Sequence, residues 1–240
     1  MNDPQPTPRP WRFAIYFSPP PGSPWSVAGA RWLGRGIDGE RAVRQAVPAG
    51  WDAAGFAALT AEPRRYGWHA TLRAPFRLAD GVDAPALHAA LGELVADCAA
   101  FDLPPLEPAT MGGFLALRPV VDSAPLQALA RRCVTELQRL AAPPTDAEIA
   151  QRRRAGLTPE QDAMLLRWGY PYVLDGFRFH LTLTGRLAAL PPPRVAALQQ
   201  RAREIFTALP QPVRVDALSL FVESHPGAEF VRIARFALAS

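Results

Sequence analysis

A short pattern occurs twice in this chain, once around His69 and once around His180. The first copy reads YGWHATL over residues 66–72, and the second reads FRFHLTL over residues 177–183. In each copy a histidine is followed two residues later by a threonine, among aromatic and aliphatic residues that favour β-strands. A fold predicted for this chain should therefore account for both copies of the pattern.

Each histidine is expected to share one face of a strand with the threonine that follows it. Side chains of a strand alternate between its two faces, so residues i and i+2 point the same way. His69 therefore lies beside Thr71, and His180 lies beside Thr182. Because the neighbouring positions are mostly apolar, each strand is predicted to present an imidazole and a hydroxyl on one face and packing groups on the other.

Four further residues are predicted to approach a ligand bound at these faces. The same alternation carries Arg73 and Arg178 onto the faces of the two histidines, provided that no β-bulge intervenes. Tyr16 belongs to a predicted strand over 12–17 and reaches the site if that strand neighbours a histidine strand. Tyr170 belongs to an aromatic loop before the second copy, where stacking on a ligand and packing beneath the strand both remain open.

Two imidazoles and two hydroxyls suit the cleavage of an ester at phosphorus. Histidine has an ordinary pKa of about 6.5, so one ring can take a proton from water while the other gives one to the departing alkoxide. Threonine hydroxyls can donate hydrogen bonds to the non-bridging oxygens. We therefore predict His69 and His180 as catalytic and Thr71 and Thr182 as phosphate-binding, without a metal or a cofactor. A metal site would need a third ligand such as Asp175, and no recognised ligand spacing supplies one.

The other histidines and both cysteines are interpreted as structural. His88 lies in a predicted helix over 84–99, and His225 lies in a predicted hairpin turn. Cys98 and Cys133 also fall in predicted helices and have no metal-ligand spacing. No disulfide framework is therefore expected.

Composition places the chain among globular proteins and leaves the ligand class open. The chain has 240 residues, of which 49% are hydrophobic, and no apolar run is long enough to cross a membrane. The N-terminus lacks the charged and apolar regions of a signal peptide, so we expect a cytoplasmic protein that does not act at a membrane. The net charge is +4 and all 26 basic residues are arginine. That charge fits a small phosphorylated ligand as well as RNA.

The order of predicted elements repeats after each histidine pattern. Strand, helix, strand, strand follows both copies, with the second histidine strand predicted over 177–186 and its helix over 193–209. This order indicates an internal duplication, with two lobes related by an approximate two-fold axis. Residues 1–10 contain four prolines and are predicted to form a flexible tail.

A connecting helical segment is predicted over 141–170. Thr145 with Glu148, and Thr158 with Gln161, each fit the capping box that satisfies free amides in the first turn of a helix. The segment is expected to shape or cover the cleft between the lobes.

These sequences resemble a known group of enzymes. HATL at 69–72 and HLTL at 180–183 resemble the twin His-x-Thr/Ser signatures of the 2H phosphoesterase superfamily. Within it the chain is similar to the DUF1045 family of phosphonate metabolism proteins, which are often encoded with phosphonate-utilisation genes. The similarity runs from RFAIYF at 12–17 through GFLAL at 113–117 and WGYPY at 168–172 to the last strands.

The resemblance implies an α+β fold in a single bilobal domain over 11–240, in which two antiparallel sheets backed by helices enclose a central groove. It implies metal-free hydrolysis or transfer at cyclic or linear phosphodiesters. The motif roles carry to His69, Thr71, His180 and Thr182, but the choice of base and acid does not. The expected partner is a small phosphorylated substrate, for which a ribose cyclic phosphate is one candidate.

Two alternative functions stay open at this point. One is the processing of RNA ends that carry a 2′,3′-cyclic phosphate, which the lack of a long basic arm or an RNP-like aromatic motif disfavours. The other is a non-catalytic module that binds a phosphorylated ligand in the same groove.

Overall fold

The structure is a computed structural model that describes residues 10–39 and 43–239. The predicted flexible tail over 1–10 lies, apart from Pro10, outside the described residues. The strands are β1 (Arg12–Phe17), β2 (Ala70–Phe76), β3 (Phe101–Asp102), β4 (Leu106–Met111), β5 (Phe114–Pro119), β6 (Leu181–Thr182), β7 (Arg214–Val215), β8 (Ala217–Glu223) and β9 (Phe230–Ala237). The α-helices are α1 (Pro24–Leu33), α2 (Ala53–Leu59), α3 (Ala61–Tyr66), α4 (Ala84–Ala96), α5 (Ala124–Thr135), α6 (Asp146–Arg153), α7 (Pro159–Trp168) and α8 (Pro192–Phe206).

The two histidine-bearing strands are neighbours in one antiparallel sheet. Within the described residues this sheet has seven strands in the order β4-β5-β6-β2-β1-β8-β9, and β3 with β7 forms a second sheet of two strands. Ala70 of β2 pairs with Leu181 of β6, one residue after each histidine. The α+β class is confirmed, and the two halves of the chain meet through this direct pairing within a continuous sheet.

The predicted repetition of elements is present in the structure. Strand β2 is followed by α4, β3, β4 and β5, and strand β6 is followed by α8, β7, β8 and β9. The short strands β3 and β7 pair with each other, while α8 packs on β4 and α4 packs on β9. This reciprocal packing is what a two-fold relation between the halves would produce.

The backbone that carries His69 is anchored by its buried neighbour. Trp68 stacks on Phe206 of α8, with ring centroids 5.3 Å apart. It also lies against Gly29 of α1, where an added Cβ would come within 2.1 Å of the indole. A side chain at position 29 would displace Trp68, so the glycine permits the close approach that fixes this part of the chain.

The starts of helices α6 and α7 were predicted correctly, but the length of the second histidine strand was not. Both capping boxes are confirmed at the starts of α6 and α7. Helix α1, which begins after the cap Ser23, was not predicted. The second histidine strand was predicted over 177–186, but β6 covers only two residues because the amides of Leu183 and Thr184 both bond to the carbonyl of Leu115. That shared carbonyl ends the regular pairing.

No helix in the part of the chain that the structure describes is long and apolar enough to cross a membrane.

Candidate active site

Pairing of β2 with β6 opens a cleft that contains both sequence patterns. The cleft has a volume of about 270 Å³ and is lined by His69, Thr71, His180 and Thr182. The four side chains singled out by the doubled pattern therefore lie at one cavity. They come from segments far apart in the sequence, and the sheet brings them together.

The two histidines are held in the same way. Nδ1 of His69 lies 2.9 Å from the carbonyl oxygen of Gly67, and Nδ1 of His180 lies 2.7 Å from the carbonyl oxygen of Arg178. A carbonyl oxygen only accepts, so each Nδ1 carries the proton and donates it. In the neutral tautomer each Nε2 is then left as an acceptor that can serve the cleft.

Gly67 provides the carbonyl that orients His69. Its φ is 75° and its ψ is −176°, a combination that only glycine adopts without strain. An added Cβ would also come within 2.6 Å of Ile37. The glycine two residues before the first histidine is therefore part of what positions the imidazole.

His69 is enclosed by an aromatic ring and a hydroxyl. The ring of Tyr16 stacks on the imidazole with centroids 3.9 Å apart, and Oγ1 of Thr71 lies 3.3 Å from Nε2. Burial lowers the pKa of His69 to about 4; the hydrogen bond to Gly67 raises it and the nearby His180 lowers it. His69 is neutral at pH 7 and available as a proton acceptor.

His180 faces the same cleft from a more open position. Its ring lies 5.6 Å from the ring of Phe114, centroid to centroid. Burial lowers its pKa below the ordinary 6.5, against the opposing effect of the hydrogen bond to Arg178. Both imidazoles are thus predominantly neutral at pH 7, and an anionic ligand between them would favour protonation of one.

Arg73 does not lie in this cleft, contrary to prediction. Strand β2 contains a register shift against β1, with Thr71 opposite Tyr16 and Arg73 opposite Ile15, so Leu72 is an extra residue. The extra residue reverses the alternation of side chains. Arg73 instead donates to the carbonyl oxygens of Cys133 and Val134, at 3.2 and 2.5 Å.

Arg178 is also absent from the residues that line the cleft. It precedes the short strand β6, and its guanidinium donates to the carbonyl oxygens of Asp175 and Phe177 within its own loop. The alternation of side chains between two faces does not apply here, because the segment before His180 is not a regular strand. Tyr16 and Tyr170, in contrast, both line the cleft as predicted.

Comparison with known proteins assigns the chain to a family. Residues 71–231 match the model of a family described as "Protein of unknown function (DUF1045)". The chain belongs to the DUF1045 family.

The chain is also similar to two curated proteins. It is 40% identical over 226 residues to "Ribose 1,5-bisphosphate phosphokinase PhnN" of Janthinobacterium sp. (strain Marseille), a match that covers 93% of the chain and 50% of the relative. It is 43% identical over 219 residues to the protein of the same name from Laribacter hongkongensis (strain HLHK9), covering 91% and 50%. The chain thus spans half the length of these curated relatives.

Solved structures with a distant likeness include one described as "Crystal structure of phosphoesterase", with 16% identity and a TM-score of 0.45 over 97% of this chain and 100% of that one. Another is the apo form of E. coli LigT, with 15% identity and a TM-score of 0.44 over 97% and 99%. The family assignment rests on the sequence match.

Three charged residues of this DUF1045 chain complete the cleft and were not predicted as site residues. They are Glu62, Arg152 and Arg186. Arg152 belongs to a run of three arginines at 152–154, and its guanidinium lies 4.9 Å from the centre of the Tyr170 ring. Because α6 and the end of α7 bring Arg152 and Tyr170 to the cleft, the connecting segment over 141–170 forms part of its wall.

A carboxylate on β8 braces the strands beside His69. Glu223 is fully buried and forms ion pairs with Arg12 of β1 and Arg65 of α3. The guanidinium of Arg65 lies 5.4 Å from the centre of the Tyr66 ring, which in turn lines the cleft. This network connects three elements around the site, and no local sequence signal points to it.

The remaining candidates lie outside the cleft. Asp175, the third ligand considered for a metal, forms an exposed ion pair with Arg131. Within residues 10–39 and 43–239, no three His, Cys, Asp or Glu side chains group as metal ligands would. His88 contacts the ring of Phe236 on the far hairpin, and His225 is exposed in the turn after β8. Thr184, in contrast, lines the cleft, but it is buried and accepts a hydrogen bond from the amide of Leu115, so it supports the sheet.

Proposed function

We propose that this chain is a metal-independent phosphoesterase that cleaves a cyclic phosphate or phosphodiester of a small molecule. The observation that carries the proposal is the equivalence of His69 and His180. Each Nδ1 donates to the carbonyl of the residue two positions earlier, so both Nε2 atoms can serve one cleft, where Nε2 of His69 has the hydroxyl of Thr71 beside it at 3.3 Å. A histidine with both nitrogens bonded to the backbone of a closed core would leave no such pair at a cavity.

The reaction needs one proton acceptor and one proton donor. The neutral histidine takes a proton from water as the water oxygen bonds to phosphorus, and the protonated histidine gives its proton to the alkoxide as the other phosphorus–oxygen bond breaks. Thr71 and Thr182 donate hydrogen bonds to the non-bridging oxygens and stabilise the charge that develops there. The orientation of the bound ester decides which histidine is the base.

The names of the curated relatives favour a ribose phosphate as the substrate class. They refer to ribose 1,5-bisphosphate and to a kinase activity. A P-loop kinase needs the lysine of its GxxxxGK[ST] motif, and this sequence contains no lysine. We therefore place a P-loop kinase step outside the half that this chain represents, and we propose a ribose cyclic phosphate, formed during phosphonate breakdown, as its substrate.

A substrate panel in EDTA tests this proposal. We expect the purified protein to open ribose cyclic phosphates, measured by ³¹P NMR, at the same rate with and without EDTA. Faster turnover of oligoribonucleotides that end in a 2′,3′-cyclic phosphate would favour RNA end processing instead. Binding without any turnover would support the non-catalytic module, and loss of turnover in EDTA would contradict the metal-free mechanism.

The pH dependence of kcat/KM gives a second test. The base must be neutral, so the rate rises with pH through the lower of the two histidine pKa values, and the acid must be protonated, so the rate falls above the higher one. Burial holds both below 6.5, with His69 at about 4. We expect kcat/KM to be maximal between about pH 4 and 6.5. A maximum above pH 7, in protein shown by circular dichroism to be folded throughout, would contradict this account of the site.

A further inference from the structure

A second cavity lies beside the cleft and shares a wall with it. Its volume is about 310 Å³. Ala74, Pro75, Arg152 and Tyr170 line both cavities. The two cavities are therefore adjacent, with Arg152 and Tyr170 at their common boundary.

The second cavity has an excess of positive charge. Arg12, Arg73, Arg77 and Arg152 line it together with a single carboxylate, that of Glu148. Glu148 pairs with Arg77, and Glu223 pairs with Arg12 from outside the cavity. Among the residues that the structure describes, neither Arg73 nor Arg152 forms an ion pair with an acidic side chain. Two arginines at this cavity are thus left without a counter-charge from the protein.

Arg73 is the more unusual of the two because it is only 4% exposed. Its terminal nitrogens donate to Cys133, Val134 and Gln138, but its buried Nε has no partner. Burial lowers its pKa to about 10, so it remains charged at neutral pH. Its guanidinium also lies over the ring of Phe76, 4.4 Å from the ring centre. A buried cation held only by neutral groups is costly unless an anion offsets its charge.

Trp168, at the end of α7, supplies a second unpartnered donor at the same cavity. Its buried Nε1 also has no hydrogen-bond partner. Unsatisfied buried donors are rare in proteins, and here two of them belong to residues that line one arginine-rich cavity, which favours an acceptor that binds there. A phosphate group offers several acceptor oxygens and a negative charge that suits arginine.

We propose that this cavity is a subsite for a second phosphate group carried by the same substrate, bound by Arg73, Arg152 and Trp168 while His69 and His180 act on the ester. The inference rests on the proposed function and narrows it to substrates with two phosphate groups. The structure thus assigns a binding role to Arg73, which was predicted for the wrong cavity.

A matched pair of substrates tests the subsite. The pair is a ribose cyclic phosphate with a free 5-hydroxyl and the same compound with a 5-phosphate. Hydrogen bonds to a charged group are strong, so we expect kcat/KM of the wild-type protein to be about tenfold or more higher for the 5-phosphate. Equal values for the two compounds would overturn the subsite while leaving the phosphoesterase proposal intact.

Two substitutions test whether the second cavity causes the preference for the 5-phosphate. Trp168→Phe removes an N–H that has no partner within the protein and keeps an aromatic, though smaller, ring, and Arg152→Gln removes one uncompensated charge. Each is expected to reduce the 5-phosphate preference about fivefold or more, by the same argument about charged hydrogen bonds. Arg154→Gln is the matched control, because Arg154 lies in the same arginine run but does not line the cavity. A preference that Trp168→Phe and Arg152→Gln leave unchanged would contradict the assignment.

Calorimetric titration with ribose 5-phosphate separates failure of the subsite from failure of the proposed function. If neither cyclic compound is cleaved but ribose 5-phosphate binds and Trp168→Phe weakens that binding, the subsite stands and the phosphoesterase proposal fails. If ribose 5-phosphate does not bind and the two cyclic compounds are cleaved equally well, the subsite is wrong. Absence of both binding and cleavage would overturn both proposals.

Discussion

Replacement of His69 or His180 by alanine is expected to lower kcat for ester cleavage by about 10²- to 10⁴-fold, the usual contribution of a positioned acid or base. Each substitution removes an Nε2 that serves the cleft, while the Nδ1 partner is a carbonyl in the adjacent loop. The measurement is single-turnover and steady-state cleavage of the best substrate in the panel. Because the two imidazoles act as one unit, the double substitution should cost little more than either single one.

The control for this experiment is His225→Ala, which removes a histidine exposed in the turn between β8 and β9. It should leave kcat unchanged, and circular dichroism should show that all the variants are folded. Unchanged turnover after either His69→Ala or His180→Ala would refute the paired mechanism and favour a site that only binds its ligand.

Glu223→Ala is expected to lower the free energy of unfolding by about 3–5 kcal/mol, as is typical when one partner of a buried ion pair is removed. The substitution leaves Arg12 and Arg65 without their counter-charge, and it removes the acceptor for the amide of Gly227. Urea unfolding followed by circular dichroism measures the change. The effect should be large because the carboxylate is fully buried and serves three donors.

A matched ion pair at the surface tests whether burial causes the large effect expected for Glu223→Ala. Asp102 pairs with Arg214 at 3.3 Å, and about half of each side chain is exposed, with values of 49% and 56%. Asp102→Ala should change the free energy of unfolding by no more than about 1 kcal/mol. Equal effects of Glu223→Ala and Asp102→Ala would show that the network beside His69 does not brace the strands.

The features of the candidate site that depend on residues close together in the sequence could be predicted. Two histidines with a threonine two residues later indicate two similar polar positions on strands, and the structure brings all four side chains to one cleft. The capping boxes of α6 and α7 were predictable for the same reason, because a cap involves residues within one turn. The repeated order of elements anticipated that the two halves would meet.

The errors have non-local causes. Leu72 forms a bulge only because of how β2 aligns with β1, and that alignment reversed the side on which Arg73 emerges. Arg152 and Arg186 reach the cleft because of tertiary packing, and neither stands in a distinctive motif. The sequence also could not show that Arg73 lacks a counter-charge, because this depends on which acidic residues the fold brings near it.

The central claim is that one phosphorus centre lies between the two imidazoles, and a crystal structure with orthovanadate tests it most directly. Vanadate adopts the five-coordinate geometry of in-line displacement at phosphorus. We expect its apical oxygens within hydrogen-bond distance of Nε2 of His69 and of His180, and its equatorial oxygens beside Oγ1 of Thr71 and of Thr182. Vanadate bound away from both imidazoles, or histidines with Nε2 turned out of the cleft, would contradict the proposed mechanism.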